Sequence, residues 1–156
     1  MTSARLAIWA FRLIATVFAL LVMTQPIWIG LFLQGEFDQL AVHRAVGGAA
    51  IAATWLVFAG AVAIGWLARL GWWPAALSVG MFFALAGQFV VGMQRATALH
   101  IPLGVVLIGI AGALAVWSWL PMTRHLSRSR SRSSAPPDAA SADSHQRLDT
   151  LRGSSQ

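Results

Sequence analysis

Two histidines occupy matching places in this chain of 156 residues. His43 and His100 each stand at the opening of a long apolar segment, and each is followed at the fourth position by a glycine, Gly47 and Gly104. Imidazole is a common metal ligand and the usual axial ligand of haem iron. An ionisable side chain at membrane depth is costly, so where one is kept it generally marks a site. A matched pair in an otherwise apolar protein therefore points to two axial ligands on one metal centre.

The elements that must position this pair are membrane helices. Hydrophobic residues make up 58% of the chain and charged residues only 10%, against about 25% charged in a soluble domain. A helical span needs about 20 apolar residues, and four stretches qualify, at about 13–33, 43–67, 73–93 and 100–120. With no water to satisfy the backbone in lipid, each must be helical. The expected fold is an all-α integral membrane four-helix bundle built from two transmembrane hairpins over residues 1–121. A cleaved signal peptide is not expected, because the first apolar stretch is too long and lacks an A-x-A-like site. Residues 122–156 are rich in Ser, Arg, Ala, Asp and Pro, and read as a disordered cytoplasmic tail.

Arginine placement sets the orientation. Arg5, Arg12, Arg69, Arg124, Arg128, Arg130 and Arg132 fall on one side of a four-span chain, and only Arg44 and Arg95 on the other. Both termini are thus expected in the cytoplasm, in the inner membrane of a bacterium. The net charge of +6 reflects this rule, not nucleic-acid binding. All 11 basic residues are arginine, which reads as a high-GC coding bias. With no cysteine, neither a disulfide nor a thiolate ligand is available.

Topology places the histidines together. The second and fourth helices both start on the outer side, so His43 and His100 share a level. By helical spacing His43, Gly47, Ala50 and Thr54 lie on one face, and so do His100, Gly104, Ala111 and Ala115. In the third helix Gly80, Ala84, Gln88 and Gly92 form a small-residue stripe. These faces suit close helix packing or room for a flat macrocycle beneath each histidine. Bis-histidine ligation of haem b is the sharper reading, with Gly47 and Gly104 lining the ring and Arg44 and Arg95 paired with its propionates. The plainer reading makes each histidine a solvated or helix-capping interfacial residue, Gln25 and Gln88 interhelical hydrogen-bond partners, and Arg44 and Arg95 interfacial anchors. Pro26 is expected to kink the first helix. The Trp residues near span ends form an aromatic belt.

Gln25, the acidic Phe37-Asp38 turn followed by His43-Arg44, and Leu99-His100 resemble the recurring features of a family of small uncharacterised four-span bacterial membrane proteins. The resemblance covers residues 5 to 121. The layout is also similar to one half of haem A synthase, whose four-helix halves carry haem-ligating histidines on their even helices. That resemblance implies His43 and His100 as ligands. Where haem A synthases carry a glutamate three residues before the first histidine, this chain has Leu40. The departure counts against synthase chemistry and leaves haem binding as the implied property. Two functions stand open: a cytochrome b-like electron-transfer protein with a membrane redox partner, and a cofactor-free helical protein or accessory subunit of a complex.

Overall fold

A computed structural model describes residues 2–120, and every statement below concerns those residues. The expectation of a disordered tail over 122–156 falls outside them. The described chain is helical: α1 (Ser3–Met23), α2 (Gln25–Leu33), α3 (Gln39–Leu67), α4 (Trp73–Met93) and α5 (Thr97–Trp119). Four segments are long and apolar enough to cross a membrane: Ser3–Leu33, Gln39–Leu67, Trp73–Met93 and Thr97–Trp119.

The first segment begins about ten residues earlier than its apolar stretch suggests. Arg5 and Arg12 bound the hydropathy signal, but the residues around them form helix well. Arg12 is half-buried, with its Nε donating to Ser118 O, and a long side chain of this kind can keep its charge at an interface. The same segment breaks where Pro26 predicts. Proline has no N–H to offer the carbonyl of Val22, and the helix stops at Met23 and restarts at Gln25. Elsewhere Pro74 stands in the first turn of α4, where its missing N–H costs nothing. Gly35 and Gly71, with φ of 106° and 88°, turn the chain after α2 and α3 in the region that favours glycine.

Helix α1 packs against α3 and α5, and α4 packs against α3 and α5; α2 lies on α3. The helices thus close a ring in which α3 and α5 are opposite each other, with no close backbone approach between them. Large residues meet small ones at the contacts. Phe11 and Phe18 are fully buried, as are Ala15 and Ala61. A Cβ on Gly60 would sit 3.1 Å from the Phe11 ring, so this glycine is what lets α1 and α3 approach. The buried hydroxyls are satisfied within their own helices. Thr54 donates to Ile51 O (2.6 Å) and Ser78 to Pro74 O (2.7 Å). Thr54 therefore makes no bond across helices, although its type allowed one.

The outside of this ring is apolar. Leu33 is 76% exposed, Trp66 75%, Phe83 67% and Val116 65%. A soluble protein keeps such patches small, whereas lipid is the solvent in which this surface is favourable.

Candidate functional site

The histidine end of the ring is assembled from five helices' termini. His43 lies in the first turn and a half of α3 and His100 at the fourth residue of α5. Their rings stand 6.2 Å apart between centroids, inclined at 69°. Both are half-buried. Neither caps its helix: the residues at the N-cap positions are Asp38 and Ala96. Each ring turns instead toward a glutamine carbonyl on a neighbouring helix.

On one side, His100 Nδ1 lies 3.1 Å from Gln88 O, and Gln88 Nε2 donates back to His100 O at 2.6 Å. A carbonyl only accepts, so the proton sits on Nδ1 and Nε2 is left with its lone pair. On the other side, His43 Nδ1 lies 3.3 Å from Gln25 O. In the orientation its neighbours favour, the Gln25 amide nitrogen donates to His43 Nδ1 at 2.9 Å and to His43 O at 3.1 Å, and its oxygen accepts from Gly47 N–H at 3.2 Å. Nδ1 of His43 is then the acceptor, and the proton of its neutral ring sits on Nε2, the reverse of His100. The same unit is built twice: a glutamine whose carbonyl faces an imidazole and whose amide reaches the carbonyl of that histidine.

Gly104 makes room for Gln88, whereas Gly47 only faces Gln25 at ordinary contact distance. A Cβ at Gly104 would come within 2.9 Å of Gln88 Nε2; at Gly47 the nearest atom is Gln25 Oε1, at 3.7 Å. The tightest position is Gly92, where a Cβ would fall 2.7 Å from Cε1 and 3.0 Å from Nδ1 of His100. Gly92 therefore lets the His100 ring lie against the α4 backbone. The sequence placed Gly92 in a packing stripe and gave it no site role. Its signal was its place four residues after Gln88, the interval that also separates each histidine from its glycine. Gly80, from the same stripe, is exposed with open space over it. The structure thus brings His43, His100, Gly47 and Gly104 together and adds Gln25, Gln88 and Gly92. Arg44 and Arg95 are exposed. Arg95, in the turn before α5, holds a left-handed φ of 58°.

Two half-buried imidazoles are a donor pair of the kind that could hold a metal bringing its other ligands with it. Hydrogen bonding of one imidazole nitrogen to a backbone carbonyl is the usual way a ligating histidine is oriented. Two nitrogens on one metal at about 2 Å each stand roughly 4 Å apart, a spacing within reach of these rings. No group of three or more His, Cys, Asp or Glu side chains gathers among the described residues. Zinc takes three or four protein ligands, so two histidines alone suit a metal that brings its own equatorial donors. Gln88 Oε1 is buried without a partner, so polar capacity at the site is left unfilled.

No family model, no curated protein and no solved structure matches this chain.

Proposed function

We propose that this is a multi-pass bacterial inner-membrane protein, a four-helix bundle of two transmembrane hairpins with both termini in the cytoplasm, which binds one haem b through His43 and His100 and passes electrons to a membrane redox partner. The observation that carries the reading is the doubled Gln–His unit, which brings the two imidazole rings to 6.2 Å with a glutamine beside each Nδ1. When bound, haem supplies a one-electron ferric/ferrous couple. His43 and His100 would hold it through Nε2; the Gln88 carbonyl keeps His100 Nε2 free for this, and at His43 the Nδ1 proton would turn to the Gln25 carbonyl, 3.3 Å away. Arg44 and Arg95 are the cations available to propionates. The buried Ala50, Leu107 and Ala111 continue the site inward and exclude water. Ligation by both histidines would favour electron transfer over oxygen chemistry. The resemblance to half of a haem A synthase agrees with the ligand assignment, and Leu40 argues against the synthase reaction.

One observation favours a second reading, a cofactor-free accessory subunit. Gln25 and Gln88 engage Nδ1 and the main-chain carbonyl of both half-buried histidines without any cofactor. The two readings part in an absorption spectrum of protein purified from haem-replete cells. The haem reading requires a Soret band and sharp reduced bands of low-spin haem b, lost on His43→Ala and on His100→Ala. A colourless wild type leaves the accessory-subunit reading standing.

A further inference from the structure

The end of the molecule remote from the histidines holds a second organised group. Arg12, on α1, donates from Nε to Ser118 O at 2.8 Å. Its guanidinium carbon lies 5.2 Å from the ring centre of Trp9 and 5.4 Å from that of Trp119. The two indoles meet edge to face at 5.5 Å. Trp119 Nε1 donates to Thr16 Oγ1 at 3.0 Å, and Thr16 Oγ1 donates to Arg12 O at 2.8 Å. The arginine is thus held in a fixed pose between α1 and the end of α5 by two aromatic faces and one backbone carbonyl.

The pose uses only part of the side chain. A guanidinium carries five N–H donors in a planar fork, and only the Nε one has a protein acceptor among the described residues. The acidic residues described here, Glu36 and Asp38, lie in the turn before α3, by the histidines, so no carboxylate among them reaches Arg12. A charge at the margin of an apolar layer needs a counter-charge or water. Trp9 and Trp119 are each 45% exposed, as befits residues at headgroup level. The acceptor that matches the fork geometry at that depth is a phosphate.

We infer that Arg12, Trp9 and Trp119 form a binding site for the headgroup phosphate of an anionic phospholipid, with the free Nη donors on the phosphate oxygens. The net charge of the site selects anionic lipid over a zwitterionic one, whose phosphate is already compensated. The inference rests on the membrane placement and not on the haem reading.

The test uses full-length protein in neutral detergent, titrated with phosphatidylglycerol, with phosphatidylcholine and with inorganic phosphate, read by native mass spectrometry and thermal unfolding. Wild type should retain and be stabilised by phosphatidylglycerol. Arg12→Gln should weaken that binding about tenfold, the size of one lost charge-assisted contact. Trp119→Leu keeps the charge and should weaken it about threefold, as expected for one exposed cation–π contact; it also serves if Arg12→Gln does not fold, with helicity checked by circular dichroism. Equal binding of the two lipids, unchanged affinity in the variants, or saturation by inorganic phosphate alone overturns the assignment.

Discussion

Gln88 and His100 hold each other by two hydrogen bonds in opposite directions: the amide donates to the histidine carbonyl at 2.6 Å, and the imidazole faces the glutamine carbonyl at 3.1 Å. The exchange fixes the ring's tautomer and its rotation together. It also ties the end of α4 to the start of α5 across a short turn. Gln25 and His43 are joined in a related way across a longer stretch, at a sequence separation of 18 instead of 12.

The two glutamines should not be equally costly to lose. Gln25 satisfies both ends of its amide, on His43 O and Gly47 N–H, whereas Gln88 leaves Oε1 buried and unpaired. Replacing Gln88 by Met removes an unmet acceptor along with a useful donor. Gln25→Met should therefore destabilise by about 1 kcal/mol and Gln88→Met by less. Thermal unfolding of the two variants in detergent checks the order.

The glycines should separate under alanine substitution. At Gly92 the new methyl falls 2.7 Å from a ring that is anchored through Nδ1 to Gln88 O on the same helix. That is overpacking, with a cost of about 1–3 kcal/mol. At Gly104 it meets the end of a flexible amide at 2.9 Å, and at Gly47 nothing is closer than 3.7 Å. The stability loss should run Gly92→Ala, then Gly104→Ala, with Gly47→Ala near neutral. If haem is bound, Gly92→Ala should also broaden or shift its low-spin bands.

Arg95 and Arg69 both occupy the left-handed region, at φ 58° and 54°, where a residue with a Cβ costs roughly 1–2 kcal/mol relative to glycine. Arg95→Gly and Arg69→Gly should each raise the unfolding midpoint. Arg95→Gly alone should lower haem occupancy, because only Arg95 lies at the histidine end. Haem-to-protein ratios measured beside the unfolding curves distinguish strain relief from loss of a propionate partner.

The orientation is checked by reporters. A periplasm-active enzyme inserted at Gly35 should be active, and one fused after Arg132 should be silent. The reverse pattern would put the histidines at the cytoplasmic face and void the arginine argument.

Much of the architecture was readable because membrane helices announce themselves by length and apolarity. The span ends were read less well. Arg12 hides the early start of α1, since a long side chain lets charge and helix coexist at an interface. The break at Pro26 was legible from the missing N–H. The closeness of His43 and His100 could be read from span count and direction, and Gln25 and Gln88 as interhelical hydrogen-bond partners from their matching places in the odd spans. The neighbours of Gly47 and Gly104 could not, because spacing along one helix does not say which residue of another fills the gap. Gly92 escaped notice for the same reason: its importance lies in a ring contributed by α5.

The histidines belong to opposite members of the helix ring, whose backbones do not meet. No single interface sets the gap between the two imidazoles. It is the closing error of four separate contacts, α1 on α3, α3 on α4, α4 on α5 and α5 on α1. Any helix that slides, even far from the site, is registered there as a change in the width of the gap. The pair spans the diagonal like the jaws of a calliper, and pressure on one flank of the ring has a mechanical route to the spacing of the two imidazoles.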